Sequence, residues 1–235
     1  MTRKSIWPAW AALSLAGCVF HIDDEGWRTL RIGDGSSGPR VHGDGIAGQE
    51  ARALSLDGVD VVTAAGAIDV SVEVGTTSSV TVFGDQNILP YVETEVDGDA
   101  LVVRMSAGRY ELERDLHVTV TLPALAAVRV LGSADVTVQG LDATDFTASI
   151  AGSGDIALSG ALERIEIQIS GSGSLDARAL DVQSVDVDIA GSGDADLGRV
   201  ADLRARVHGS GDVTYLGAPQ ERDVRVLGSG RVEAR

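Results

Sequence analysis

One cysteine, Cys18, stands in a chain of 235 residues. No disulfide can close within the chain, and no cysteine-rich metal centre can be assembled from it. Aromatic residues are almost as scarce, at 4%, which speaks against a bulky enzyme core and for thin, repetitive β-structure. Basic residues are few: 19 Lys and Arg stand against 35 Asp and Glu, for a net charge of −16. Nucleic acid is excluded as a partner on that ground, because counterion release needs clustered cations. An anionic membrane surface is disfavoured likewise. The plain reading of the acidity is solubility. The apolar stretch from Ile6 to Phe20 has 15 residues, short of the ~20 that span a bilayer as a helix.

That stretch carries a different signal. Arg3 and Lys4 give a basic start, Ile6 to Ala16 is mostly apolar, and Leu15-Ala16-Gly17-Cys18 follows. Small residues after an apolar run mark the cleavage point of an export signal. The tetrad resembles a bacterial lipobox. The resemblance implies that residues 1–17 are removed, that Cys18 is lipidated on its thiol and becomes the first mature residue, and that Val19 behind it directs the protein to the outer membrane. Residues 18–52 then read as a lipidated cysteine and flexible linker. From 23 onward this stretch is rich in Gly, Asp and Ser, has no sustained apolar period, and is broken at Ser36-Ser37-Gly38-Pro39.

A domain is expected over 53–235. From Ala53 the chain alternates apolar and polar residues with period two, as in Ile68-Asp69-Val70-Ser71-Val72-Glu73-Val74 and His117-Val118-Thr119-Val120-Thr121-Leu122. That is the period of half-buried strands. Residues 53–125 supply N-terminal strands that cover one end of the domain or extend it. Over 126–235 a Gly-Ser-Gly-Asp motif recurs, starting at Gly132, Gly152, Gly171, Gly191, Gly209 and Gly228, at spacings of 20, 19, 20, 18 and 19. A fixed period of this length signals a solenoid. Small residues at Gly140, Gly160, Ala179, Gly198 and Gly217 suggest a second corner per repeat, between a short arm and a longer one.

Three columns support the alignment. They are Val130, Ile150, Ile169, Ile189, Val207, Val226; Val128, Ala148, Ile167, Val187, Ala205, Val224; and Val136, Ile156, Leu175, Ala195, Val213, Val232. All are apolar. Residues between the first two columns, such as Ser149, Gln168 and Asp188, are polar. Rungs stacked ~4.8 Å apart place like over like, so the expected fold is an all-β parallel β-helix with rungs of about 19 residues. The last strand, Arg231 to Arg235, alternates charges with small apolar residues and suits a protected end.

Landmarks around these repeats point to a family. Phe83-Gly84-Asp85-Gln86-Asn87-Ile88-Leu89 is followed by Val92-Glu93-Thr94-Glu95-Val96, then by Leu116 to Pro123 leading into Val130-Leu131-Gly132-Ser133-Ala134-Asp135. With the later Gly-Ser-Gly turns, the region from about 53 to 235 resembles the putative auto-transporter adhesin head GIN domain family, a domain of unknown function. The resemblance implies a right-handed β-helix in a cell-envelope lipoprotein. It suggests adhesion by name, which is an analogy at the level of fold. The turn motif is broken at Ala134, Ser174 and Arg231.

No catalytic constellation emerges. His21, His42, His117 and His208 lack metal-ligand spacing. The Gly-Ser-Gly triplets are turns with no helix behind them, so no Ser reads as a nucleophile and no phosphate loop is formed. Asp135, Asp155, Asp194 and Asp212 would share one corner column. The plainer expectation is that each accepts backbone N–H groups in its own turn; the sharper one is Ca²⁺ between adjacent carboxylates, although the nonapeptide calcium repeat is absent. Arg204 over Asp186 and Arg206 over Asp188 are expected as rung-to-rung pairs. No cofactor is expected. The function expected is a non-enzymatic envelope protein, held to the membrane by its lipid, that presents a repetitive surface to a protein or glycan partner for adhesion or scaffolding. The alternative is a polysaccharide-active β-helix enzyme, which needs longer loops around a cleft than these rungs supply.

Overall fold

The computed structural model describes residues 18–23, 26–31 and 38–235, the first two segments as backbone only. The export signal read over 1–17 and the side chain of Cys18 lie outside the described residues. Among the described residues, every regular element is a strand except one 3-10 turn, Leu89–Tyr91. The strands build a parallel β-solenoid of about five turns.

Register follows the repeat. Val136–Gly152, Ile156–Gly171 and Leu175–Gly191 run parallel, with Ile150 over Ile169 and Ile169 over Ile189. Val207 and Val226 continue the column. The other two columns stack in the same way, and all three are buried until the last rung. Each fully buried Val, Leu or Ile contributes about 1.5–3 kcal/mol, and stacking like on like lets every rung reuse the same interior.

The longer arm departs from expectation. Pairing skips Thr144, Glu163 and Gln183, and at Glu163-Arg164 two consecutive side chains face outward. Alternation cannot survive that, so the chain turns. Each of these rungs therefore has a third corner, and Leu162 and Val182 line an additional wall.

At the N-terminal end, Val61–Gly66 and Asp69–Val74 form one more rung beneath Ala127–Gly132 and Val136–Gln139. Gly66 pairs with Gly132, which makes Gly66-Ala67-Ile68-Asp69 an additional corner copy. Below it lie Ala100–Met105 and His117–Leu122, still parallel. Val92–Asp97, Ser79–Asp85 and Ala47–Ala51 are then added antiparallel. Region 53–125 thus both extends the coil and covers its end.

The tether reading of 18–52 needs correction over its second half. Arg40–His42 pairs with Arg109–Glu111, and Ala47–Ala51 pairs with Ser79–Asp85, so the domain already includes Arg40. Both strands lie at sheet edges with mostly exposed side chains, which removes the apolar alternation that reveals a strand. The backbones of Cys18–Asp23 and Gly26–Arg31 form an antiparallel hairpin.

The C-terminal rung, Glu221–Gly228 and Val232–Ala234, ends the stack. Here the inward column Phe146, Ile165, Val185, Leu203 finishes in Arg222. Its Nε donates to the Tyr215 hydroxyl (3.1 Å) and its Nη2 to the Val232 carbonyl (3.0 Å). The guanidinium therefore lies across the end of the core, and an inward charge at an edge opposes further pairing.

Candidate functional site

Three features of the surface could carry function, and the corner ladder is the most repetitive. The first glycine of each motif has φ between +117° and +140°, a region open to glycine and strained for other residues. The serine N–H donates to the glycine carbonyl of the rung below, as from Ser172 to Gly152 and Ser192 to Gly171, both 2.8 Å. The aspartates do not act within their own turns. Asp135 Oδ1 accepts the N–H of Asp155 (3.0 Å), Asp155 that of Ser174 (2.7 Å), Asp194 that of Asp212 (2.8 Å) and Asp212 that of Arg231 (2.8 Å). Asp69 begins the series by accepting from Asp135 (3.3 Å). Each carboxylate is thus held by the equivalent N–H one rung on, which offsets repulsion between stacked charges. One oxygen of each calcium candidate is engaged in this way. Among the described residues, no group of three or more His, Cys, Asp or Glu is placed to hold a metal.

A groove of about 450 Å³ lies on the outer face where the short arm meets the second corner. Thr137, Ala157 and Asp176 occupy one register position on successive rungs, while Gln139, Ser159 and Arg178 stand beside them. The ladder shifts register between Val138 and Leu141 and again between Ala157 and Ser159, and the small side chain of Ala157 leaves a gap between its neighbours. Arg178 donates to Asp176 through Nε (2.9 Å), its backbone N–H (3.0 Å) and Nη2. The side-chain hydrogen bond from Arg178 holds the Asp176 carboxyl below its ordinary value; partial burial opposes this, and the backbone N–H and the charges of Arg178 and Arg235 add to it. The same bond raises Arg178. The pair is a solvent-exposed, neutral donor–acceptor unit. Sequence reading missed the groove, since its residues are unremarkable singly and only the register brings them together.

The landmark Asp85-Gln86-Asn87 forms a clasp. Asp85 is buried, and its carboxylate accepts the N–H groups of Gly45 (3.0 Å), Glu113 (2.9 Å) and Arg114 (3.2 Å). Asn87 accepts from the Asp44 N–H and donates to the His42 carbonyl. His42 bridges Glu111 (3.0 Å) and Glu113 (3.2 Å). His117 stacks on Phe83 with ring centroids 4.8 Å apart. On the opposite end of the coil, Arg204 reaches Asp186 as expected, at 3.6 Å, but Arg206 reaches Asp186 diagonally at 3.6 Å.

A family model described as "Putative auto-transporter adhesin, head GIN domain" matches residues 59–219. Among solved structures, a putative adhesin from Bacteroides fragilis is similar at 17% identity and a TM-score of 0.68, covering 83% of this chain and 100% of its own. A putative lipid binding protein from Parabacteroides distasonis is similar at 20% identity and a TM-score of 0.50, covering 83% and 99%. Identities this low speak to the shared fold alone. No curated protein matches the chain.

Proposed function

Because this chain belongs to the auto-transporter adhesin head GIN domain family, we propose that it is a lipid-anchored, non-enzymatic protein of the cell envelope whose solenoid presents a rigid polar surface to a glycan or protein partner. The observation that carries this reading is the ladder itself. Six corners of the same small residues repeat in register, each pinned to the next by backbone bonds. Such a surface offers a serine hydroxyl and backbone groups at every step and a carboxylate at four of the six, Asp135, Asp155, Asp194 and Asp212. Repetition favours many weak contacts acting together, which is how adhesion gains strength without a deep pocket.

In this proposal residues 1–17 are removed, Cys18 carries the lipid, and the outer membrane holds the protein. The stretch from Cys18 to the edge strand that begins at Arg40 joins the anchor to the domain. Two measurements test the reading. Radiolabelled fatty acid should enter the wild-type protein and not Cys18→Ser, which should leave the membrane fraction. The full chain should bind saturably on an array of envelope glycans and matrix proteins. Depolymerisation of any polysaccharide would overturn the non-enzymatic assignment.

A further inference from the structure

We propose that the groove at Thr137, Gln139, Ala157, Ser159, Asp176 and Arg178 is a binding subsite for a neutral sugar residue of a glycan. This rests on the binding-module reading above and locates its ligand.

The chemistry of the lining decides the ligand class. A sugar hydroxyl donates one hydrogen bond and accepts others, so it suits a surface where donors and acceptors alternate at close range. Arg178 spends Nε and one N–H of Nη2 on Asp176, and a guanidinium has five N–H groups; the rest remain for a ligand oxygen. Asp176 keeps lone pairs that accept a ligand O–H. Ser159 donates to the Val138 carbonyl (3.3 Å), which turns its own lone pairs outward. Thr137 and Gln139 each supply both a donor and an acceptor. Ala157 and Ala179 give apolar patches for the C–H face of a pyranose.

Other ligand classes fit less well. A cation would meet the Arg178 guanidinium, and an anion would meet the Asp176 carboxylate; the pair is neutral as a unit. An apolar ligand would displace water from Thr137, Gln139 and the remaining N–H groups of Arg178 without replacing its hydrogen bonds, which is costly for each one. The groove spans three rungs, about 10 Å along the stack, and its volume of about 450 Å³ falls within the range of small-molecule sites. It is shallow and lacks an aromatic platform among its lining residues. Affinity for one sugar is therefore weak, with Kd on the order of millimolar, and useful binding needs a polymer or many copies.

The test uses the full chain, ¹⁵N-labelled, titrated with methyl glycosides of glucose, galactose, mannose and N-acetylglucosamine. At least one should give saturable shifts at the amides of Ala157, Ser159 and Arg178. Ala157→Phe, which fills the gap from outside the core, should weaken that binding at least tenfold while leaving the rest of the spectrum unchanged. Gln168→Phe, on a different arm, should have no effect. Binding of a glycan polymer that Ala157→Phe leaves intact would overturn the groove assignment while the binding-module reading stands. Absence of binding to every glycoside and to every glycan and protein on the array would overturn both.

Discussion

Replacing Gly171 by alanine separates two costs that the fold combines at each corner. Gly171 sits at φ +132°, and a Cβ there would lie well inside 3.0 Å of the Gly152 carbonyl oxygen on the rung below. Gly217 also has positive φ, +92°, but a Cβ there meets nothing within 4 Å. Gly217→Ala therefore carries only backbone strain, about 1–2 kcal/mol. Gly171→Ala carries that strain and must also push two rungs apart. The bond from the Ser172 N–H to the Gly152 carbonyl, 2.8 Å, lies at the point of collision, and losing a backbone bond of this kind adds about 0.5–1.5 kcal/mol. The expected total is about 1.5–3.5 kcal/mol. Urea denaturation followed by far-ultraviolet circular dichroism measures both variants, and amide exchange at the corners on either side reports whether the loss is local. Equal destabilisation by the two substitutions would refute direct stacking of the corners.

Further outcomes follow from the ends and the clasp. Arg222→Leu removes the charge that ends the inward column and leaves an apolar coil end, so light scattering should show concentration-dependent association where the wild type shows less. Asp85→Ala leaves three backbone N–H groups without their carboxylate and should cost about 3 kcal/mol, with protection lost first at Gly45 and Glu113; a change under 1 kcal/mol would show that the clasp is dispensable. Asp176 is held below its ordinary value by Arg178, so its contribution to stability is complete above the unfolded carboxyl value and fades as pH falls through the lower folded one. Carbon-13 titration of that carboxyl should give a midpoint below 3.8, and a midpoint at or above that value would contradict the observed pairing.

The core was legible because the physics of a stack repeats itself in the sequence. Ile150, Ile169 and Ile189 could be aligned from spacing alone, since one interior imposes the same requirement on every rung. What stayed hidden lies where repetition stops. The Gly66 corner escaped because the chain leaves the coil to build its N-terminal cover before returning at Gly132. The strands at Arg40 and Ala47 escaped because an edge strand with wet side chains has no apolar period. Arg222 belongs to none of the aligned columns, and only the register shows that it follows Leu203 in the inward one. The corner aspartates were correctly assigned to one column, but their partners were misplaced by one rung, because sequence cannot tell a turn bonded to itself from a turn bonded to its neighbour. The groove depends on residues from three rungs that have no motif in common.

Methyl-labelled isoleucine in a deuterated background tests the stack most directly. Strong nuclear Overhauser contacts should join Ile150 to Ile169 and Ile169 to Ile189, with none of comparable strength between Ile150 and Ile189, two rungs or about 10 Å apart. Missing neighbour contacts, or a direct Ile150–Ile189 contact as strong as these, would contradict the in-register coil.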